Sequence, residues 1–155
     1  SCFINGIMLA QDQHHHEIKT LINHNEKNTK SYQKVKSVLN NNSKGVFQGK
    51  IKVNPVAQKT DGYQLSKALL LDKDSEFDSK PELEIYADDV KCSHGSTSGN
   101  LDEEAIFYLM SRGLNKYEAK KLLIKGFLTD AIETITNNEI KKYFLNKLEN
   151  KIHEH

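Results

Sequence analysis

Cys92 and His94 are the two residues whose types and spacing best suit chemistry. They close the segment 80–95, KPELEIYADDVKCSHG, in which Leu83 and Ile85 begin the period-two alternation of a half-buried strand. Residues two apart on a strand point the same way and lie about 7 Å apart. A thiol and an imidazole are ligands for zinc or iron, but two ligands do not close a four-ligand site. The pattern therefore predicts half of a site that something else completes.

Other clusters of polar side chains are better explained by solvation than by chemistry. His14, His15 and His16 lie between polar residues, and three consecutive histidines cannot share one strand face. Asp88 and Asp89 are an acid pair in principle, but neighbours on a strand point to opposite faces. We interpret both groups as surface residues. For Cys92 and His94 taken alone, packing of the thiol and solvation of the imidazole is the more common arrangement.

Composition and the missing motifs exclude several classes of function. The 155 residues carry a net charge of +1, which argues against nucleic acid as a partner. The chain contains no phosphate-binding G-x-x-x-x-G-K-[ST] loop and no G-x-S-x-G nucleophile elbow, so we expect a protein that is not an enzyme. No apolar run reaches the ~20 residues of a membrane span. Two cysteines suit a reducing compartment, and we expect a cytoplasmic protein.

Residues 1 to about 97 have the pattern of short strands separated by polar turns. Apolar clusters recur without a helix-length period, and turn chemistry falls at 40–44, 54–55, 61–62 and 72–81. This pattern suits a β-sandwich, a barrel or the rungs of a parallel β-helix, and periodicity does not choose among them.

The composition changes after Gly99 to that of three helices. Asp102-Glu103-Glu104 suits a first helical turn and Gly113 suits a C-terminal cap. Asn115 with Glu118 predicts a capped second helix reaching about Ile135, and Thr136 with Glu139 predicts the cap of a third. Short connectors imply that the helices pack on one another. The predicted division is a β-rich part at 1–99 and a small helical subdomain at 100–155.

Four motifs occur in an order that resembles a known family. They are GVFQGKIKV at 45–53, AQKTDGYQLSKALLL at 57–71, the segment 80–95, and GNLDEEAIFYLMSRGL at 99–114. Together they cover about half of the residues, which makes the signal specific. They resemble the C-terminal portion of the SufB/SufD family of iron–sulfur cluster assembly scaffold proteins.

The resemblance implies a fold and a role for the candidate site. The fold would be a partial right-handed parallel β-helix followed by a small three-helix subdomain. The function would be that of a non-catalytic scaffold subunit of the SufBCD complex. Cys92 and His94 would serve cluster assembly at the interface with a SufB-like paralogue. Iron or an iron–sulfur cluster would be held there transiently, and no cofactor would be bound tightly by this chain alone.

The resemblance also implies partners beyond the paralogue. In the family the C-terminal region docks the ATPase SufC, and surplus apolar side chains in the helical part suit such a surface. The candidates are Phe107, Leu122, Phe127, Leu128 and Phe144. Compared with known members of the family, the chain resembles only the C-terminal part and looks truncated at its N-terminus. We therefore expect an open solenoid end there and self-association in isolation, for example as a homodimer.

Two alternatives are weighed against this interpretation. The nearer is a SufB-like, cluster-carrying paralogue, but SufB chains tend to carry a glutamate near position 94, where this sequence has His94. The remote alternative is a carbohydrate-active β-helix enzyme that uses Asp88 or Asp89. Such an enzyme needs sugar-stacking aromatic residues, and the chain contains no tryptophan.

Overall fold

The computed structural model describes residues 1–154, which form a β-solenoid followed by three helices. All strand pairs are parallel, and the chain alternates between a four-stranded sheet, β1-β3-β5-β7, and a three-stranded sheet, β2-β4-β6. The strands are β1 Cys2–Ala10, β2 His15–His24, β3 Lys30–Leu39, β4 Lys44–Val53, β5 Asp61–Leu70, β6 Glu76–Ile85 and β7 Lys91–Gly99. The predicted fold class, mainly β of the parallel β-helix type with C-terminal helices, is confirmed.

Successive turns of the solenoid stack in register, so that each strand pairs with the equivalent strand of the next turn. Aligned residues of neighbouring strands lie 29 to 32 positions apart in the sequence, and side chains such as Asn41 and Asp12 are hydrogen-bonded between turns. Like residues therefore lie above one another, because a parallel ladder repeats the same face at each step. Tyr32 stacks on Tyr63, with ring centroids 4.8 Å apart.

The middle of the solenoid is closely packed. Every second residue of β4 is buried, and Phe47, Ile51 and Val53 are fully so. The interior is not wholly apolar, because Gln33 and Gln64 are also fully buried. Their amide groups are hydrogen-bonded to each other, which removes most of the cost of burying them.

The helical part consists of α1 Glu103–Ser111, α2 Lys116–Ile132 and α3 Asn138–Glu154. The predicted cap of α2 is confirmed as a reciprocal capping box between Asn115 and Glu118. The predicted cap of α3 is wrong by one residue. The side chain of Asn137, rather than Thr136, accepts hydrogen bonds from the first free amides of that helix.

The helices do more than pack on one another, since they share a core with the solenoid. Ile124, Leu128 and Ile132 of α2 pack with Val38 of β3, and Leu148 of α3 joins the same cluster. Polar contacts of Lys36 with α2 add to this attachment. Lys36 Nζ donates to the Phe127 carbonyl at 2.6 Å, lies 2.7 Å from the Asp130 carboxylate and sits over the Phe127 ring.

The segment 80–95, whose alternation predicted a half-buried strand, contains parts of two strands that lie in different sheets. Leu83 lies in β6, the chain turns a corner at 86–90, and Cys92 lies in β7. The predicted turn at 72–81 is also too long, because β6 begins at Glu76. Apolar residues are sparse there, and charged side chains hold the outer face instead, with Lys44 bridging Glu76 and Asp78.

No helix within residues 1–154 is long and apolar enough to cross a membrane.

Candidate functional site

The candidate site lies on β7, the last strand of the four-stranded sheet. Cys92 is aligned with Gly62 of β5 and His94 with Gln64. Gly62 and Gln64 are buried residues of the inward face, so both candidate side chains belong to the row that faces the solenoid interior. The sequence prediction that they share one face is confirmed.

Cys92 is half-buried against the interior of the last turn. Its side chain packs on a cluster formed by Ile51, Val53, Ala57 and Ala87. Burial raises the pKa of the Cys92 thiol, and the Gly62 backbone N–H, which donates to the sulfur, offsets part of that effect. The thiol is therefore protonated at neutral pH, and it has to lose its proton when it binds a metal.

Gly62 leaves the space that the Cys92 sulfur uses. A Cβ added at Gly62 would lie 3.3 Å from the sulfur, 3.5 Å from Ile51 Cγ2 and 3.6 Å from Ser31 Oγ. The thiol thus stands between an apolar wall and the backbone of β5. Any larger residue at position 62 would press on it.

A buried ladder of side-chain hydrogen bonds runs through the turns below His94 and ends at the Gly49 carbonyl. Thr20 Oγ1 donates to Gln33 Oε1 at 2.7 Å, and Gln33 Nε2 donates to Gln64 Oε1 at 3.2 Å. Gln64 Nε2 in turn donates to the Gly49 carbonyl at 3.1 Å. In the register of the sheet the next position after Gln64 is His94, whose side chain is exposed.

The interior becomes polar towards this end of the solenoid. Ser66 Oγ lies 2.8 Å from Ser79 Oγ and donates to Ser96 Oγ at 3.0 Å, so three hydroxyls replace the apolar contacts of the middle turns. The face of β7 that contains Cys92 and His94 therefore combines an apolar wall behind Cys92 with a hydroxyl group at Ser96.

The site is half of a metal site at most. Within residues 1–154, no three His, Cys, Asp or Glu side chains are grouped so that they could hold a metal ion. Cys92 and His94 are brought onto one face, and residues 1–154 offer them no third ligand of these types. His14, His15 and His16 are exposed, as predicted for surface residues.

The predicted partner-binding residues of the helices divide into two groups. Phe107, Leu122 and Phe144 are exposed, with relative accessibilities of 74%, 49% and 45%. Leu128 is fully buried against β3, and Phe127 is half-buried beneath Lys36. Both are held by the solenoid because α2 lies on the sheet, so Leu128 is not available to a partner and Phe127 is only partly so.

Two residues that adjoin the candidate site, Gly62 and Gln64, were not predicted from the sequence. They lie on β5, about thirty positions before Cys92 and His94, with which they are aligned. The signal was present as Gln33 and Gln64, separated by one turn of chain, but a turn length has to be known before such a pair is recognised.

Comparison with known proteins places the chain in one family. The family model for the SufBD core domain of the SUF system for iron–sulfur cluster assembly matches residues 1–127. The iron–sulfur cluster assembly protein SufD of Escherichia coli is 39% identical over 94% of this chain and 34% of its own length. SufD of Bacillus subtilis is 30% identical over 94% of this chain and 33% of its own length.

A plant protein is also similar to this chain, over a shorter stretch. The chloroplastic protein ABCI7 of Arabidopsis thaliana is 40% identical over 67% of this chain and 22% of its own length. The chain spans about one third of the length of the SufD relatives that it matches. By the extent of the core-domain match and by its similarity to SufD, the chain belongs to the SufBD family of iron–sulfur cluster assembly proteins.

Proposed function

We propose that the chain is a non-catalytic, SufD-like scaffold subunit that offers Cys92 and His94 to a nascent iron–sulfur cluster at an interface with a SufB-like paralogue. One observation carries the proposal. The two ligand-type side chains share the inward face of β7, a strand that is paired on one side only. The cluster is cargo in this scheme, so a subunit that supplies only part of its ligand set can release it.

The electrostatics of the site support a shared role. A raised pKa keeps the Cys92 thiol protonated and a poor ligand until iron approaches. The exposed His94 imidazole is accessible from the first encounter. An isolated chain would therefore bind iron weakly, and a partner that adds ligands would bring the affinity into a useful range.

The test is cluster assembly in a reconstituted complex. The chain is co-expressed with a SufB-like paralogue and a SufC-like ATPase, and iron and acid-labile sulfide are measured in the purified complex. Cys92→Ser and His94→Ala should each lower the cluster content, with the histidine change the more damaging. Ser93→Ala is the matched control, because Ser93 lies between them on the opposite face and is exposed. Unchanged cluster content in the double variant Cys92→Ser/His94→Ala would reject the role of both residues.

The second part of the proposal assigns the helical part to docking of the SufC-like ATPase. Phe107 of α1 and Leu122 of α2 are large apolar side chains left exposed on helices that already have a core. Deleting the helices would be an ambiguous test, because it would also uncover Val38 and the rest of the shared core. Point changes on the exposed surface avoid that difficulty.

The docking experiment compares Phe107→Ser with Val56→Ser. Both side chains are exposed, at 74% and 67%, but Val56 lies on a corner of the solenoid far along the chain from the helices. Phe107→Ser should weaken ATPase binding in a pull-down or by calorimetry while Val56→Ser does not. Equal affinity of both variants for the ATPase would show that Phe107 of α1 is not part of the docking surface.

A further inference from the structure

The outer face of the four-stranded sheet carries a row of three aromatic rings. Phe3 of β1, Tyr32 of β3 and Tyr63 of β5 are aligned in the parallel register. Neighbouring strands lie about 4.8 Å apart, so the register brings side chains at one position into contact. The rings of Phe3 and Tyr32 have centroids 6.5 Å apart. Those of Tyr32 and Tyr63 are closer, at 4.8 Å with 37° between their planes.

The contact between Tyr32 and Tyr63 is different from those of the other tyrosines. The chain contains six tyrosines, and among the ring contacts of the described residues this is the one that joins two of them. Tyr143 meets Phe144 edge to face, and Tyr117 lies beneath a lysine of the same helix. Two phenols that are to react with each other within one molecule are therefore brought together at Tyr32 and Tyr63.

The pair is both accessible and held in place. Tyr32 is 47% exposed and Tyr63 is half-buried, so a small oxidant can reach both rings. They line a surface groove of about 370 Å³ together with Asp61, Lys91 and Cys92. The strands beneath them, β3 and β5, are each paired on both sides, which fixes the register of the two rings.

We propose that Tyr32 and Tyr63 are an oxidative modification site, at which one-electron oxidants convert the two phenols into a dityrosine cross-link between turns of the solenoid. Each phenol O–H loses one electron and one proton, which leaves two phenoxyl radicals. The radicals form a carbon–carbon bond between ring positions ortho to the oxygens, and the hydrogens on those two carbons move to the oxygens. The product has two hydrogens fewer than the two tyrosines, and two equivalents of oxidant have been reduced.

The shared groove also supplies a source of oxidant. Ferrous iron reduces hydrogen peroxide to hydroxide and the hydroxyl radical, which is a one-electron oxidant, and the proposed function brings iron to Cys92 in the same groove. This source rests on the proposed function, whereas the cross-link requires only the two rings and an oxidant. Failure of the cross-link would therefore leave the role of Cys92 and His94 in cluster assembly untouched, and the converse also holds.

The test is photochemical oxidation of the unmodified chain at low micromolar concentration, with tris(bipyridyl)ruthenium(II), persulfate and visible light. The monomeric fraction is isolated, its dityrosine fluorescence is measured, and a proteolytic digest is analysed by mass spectrometry. The dominant cross-link should join the peptides that contain Tyr32 and Tyr63, at a mass two hydrogens below their sum. In urea the cross-links should instead be spread over several tyrosine pairs, because only the folded chain holds these two rings together.

A phenylalanine variant tests the pair directly. Tyr63→Phe keeps the ring but removes the phenol, and it should abolish the cross-link in the monomer. Tyr117→Phe is the matched control, because Tyr117 is 56% exposed and lies on α2, and its yield should equal that of the wild type. Dityrosine in Tyr63→Phe at the wild-type yield, a wild-type monomer without dityrosine, or one cross-linked mainly through other tyrosines would each overturn the proposal.

The cross-linked protein provides a second measurement. A bond between positions 32 and 63 restrains the unfolded chain as a disulfide does, so it should stabilise the fold. The isolated cross-linked monomer should therefore unfold at a higher urea concentration than the unmodified chain. A lower midpoint would show that the bond distorts the two strands, and it would overturn the claim that the rings are already placed for coupling.

Discussion

The middle turn and the last turn of the solenoid are built from strands of similar length, but they bury very different side chains. Every second residue of β4 is buried, whereas no residue of β7 is fully buried. The middle strands are paired on both sides and enclose Phe47 and Ile51, while the last strands are paired on one side and enclose hydroxyls. Close packing thus decreases along the solenoid axis, and Cys92 and His94 lie in its least buried strand.

The largest loss of stability is expected when a large side chain is removed from the core of the middle turn. Phe47→Ala should lower the free energy of unfolding by about 3–5 kcal/mol, because Phe47 is fully buried and its neighbours cannot close the cavity. Urea titration followed by circular dichroism measures the change. Phe107→Ala is the matched control, since the same side chain is 74% exposed and its loss should stay within about 0.5 kcal/mol. Similar losses in both variants would contradict the packing described for the middle turn.

A smaller loss of stability is expected when a methyl group is added next to the ladder of side-chain hydrogen bonds at Gln33 and Gln64. A Cβ at Gly49 would lie 2.6 Å from Gln64 Oε1, a contact that the buried amide cannot avoid without breaking its hydrogen bonds. Gly49→Ala should therefore cost about 1–3 kcal/mol in denaturant titration. Gly99→Ala is the control, because no atom lies within 4 Å of its added Cβ. A Gly49→Ala protein as stable as the control would mean that the ladder is loose.

The pH dependence of stability tests a buried site near the first turns. His24 is almost fully buried, with Nδ1 2.7 Å from Thr29 Oγ1 and Nε2 2.9 Å from Ser31 Oγ, and burial lowers its pKa below 6.5. As the pH falls below 6.5, the unfolded chain takes up a proton that the folded chain refuses. Stability should therefore decrease in that range.

The control for this pH dependence is a substitution of an exposed histidine, compared with the substitution of buried His24. Thermal unfolding between pH 7.5 and 5.5 is compared for His24→Asn and His15→Gln, where His15 is exposed. The part of the pH slope that is due to His24 should disappear only in His24→Asn. An unchanged slope in that variant would show that His24 does not cause it.

The sequence predicted the parts of this molecule that depend on local chemistry. The capping box at Asn115 and the shared face of Cys92 and His94 follow from the spacing of a few residues, and both were correct. The strand content was visible, but the choice of a solenoid over a sandwich came from the family resemblance. Alternation alone does not reveal which strand lies beside which.

The errors arose where contacts between turns override local signals. Pro81 and the charged residues around it predicted a turn, yet β6 runs through them. β6 is the outer strand of its sheet, where a proline is tolerated, and Lys44 bridges Glu76 and Asp78. Leu128 has the same apolar character as the exposed Leu122, and only the docking of α2 on β3 distinguishes them. Gly62 and Gln64 adjoin the candidate ligands through register, which has no local signature.

The smallest expected change in stability belongs to the candidate ligands themselves, and it sharpens the contrast between the two turns. Cys92→Ser replaces a half-buried sulfur by a hydroxyl of nearly the same shape, and His94→Ala trims an exposed side chain. Neither should lower the free energy of unfolding by more than about 1–2 kcal/mol, and His94→Ala should lie at the lower end. Denaturant titration of the variants used for cluster assembly provides the measurement. If a variant loses cluster content while its unfolding midpoint is retained, the residue serves chemistry, since packing would affect both. A loss as large as that of Phe47→Ala would instead make Cys92 a core residue of the last turn, and its position beside His94 would then follow from packing alone.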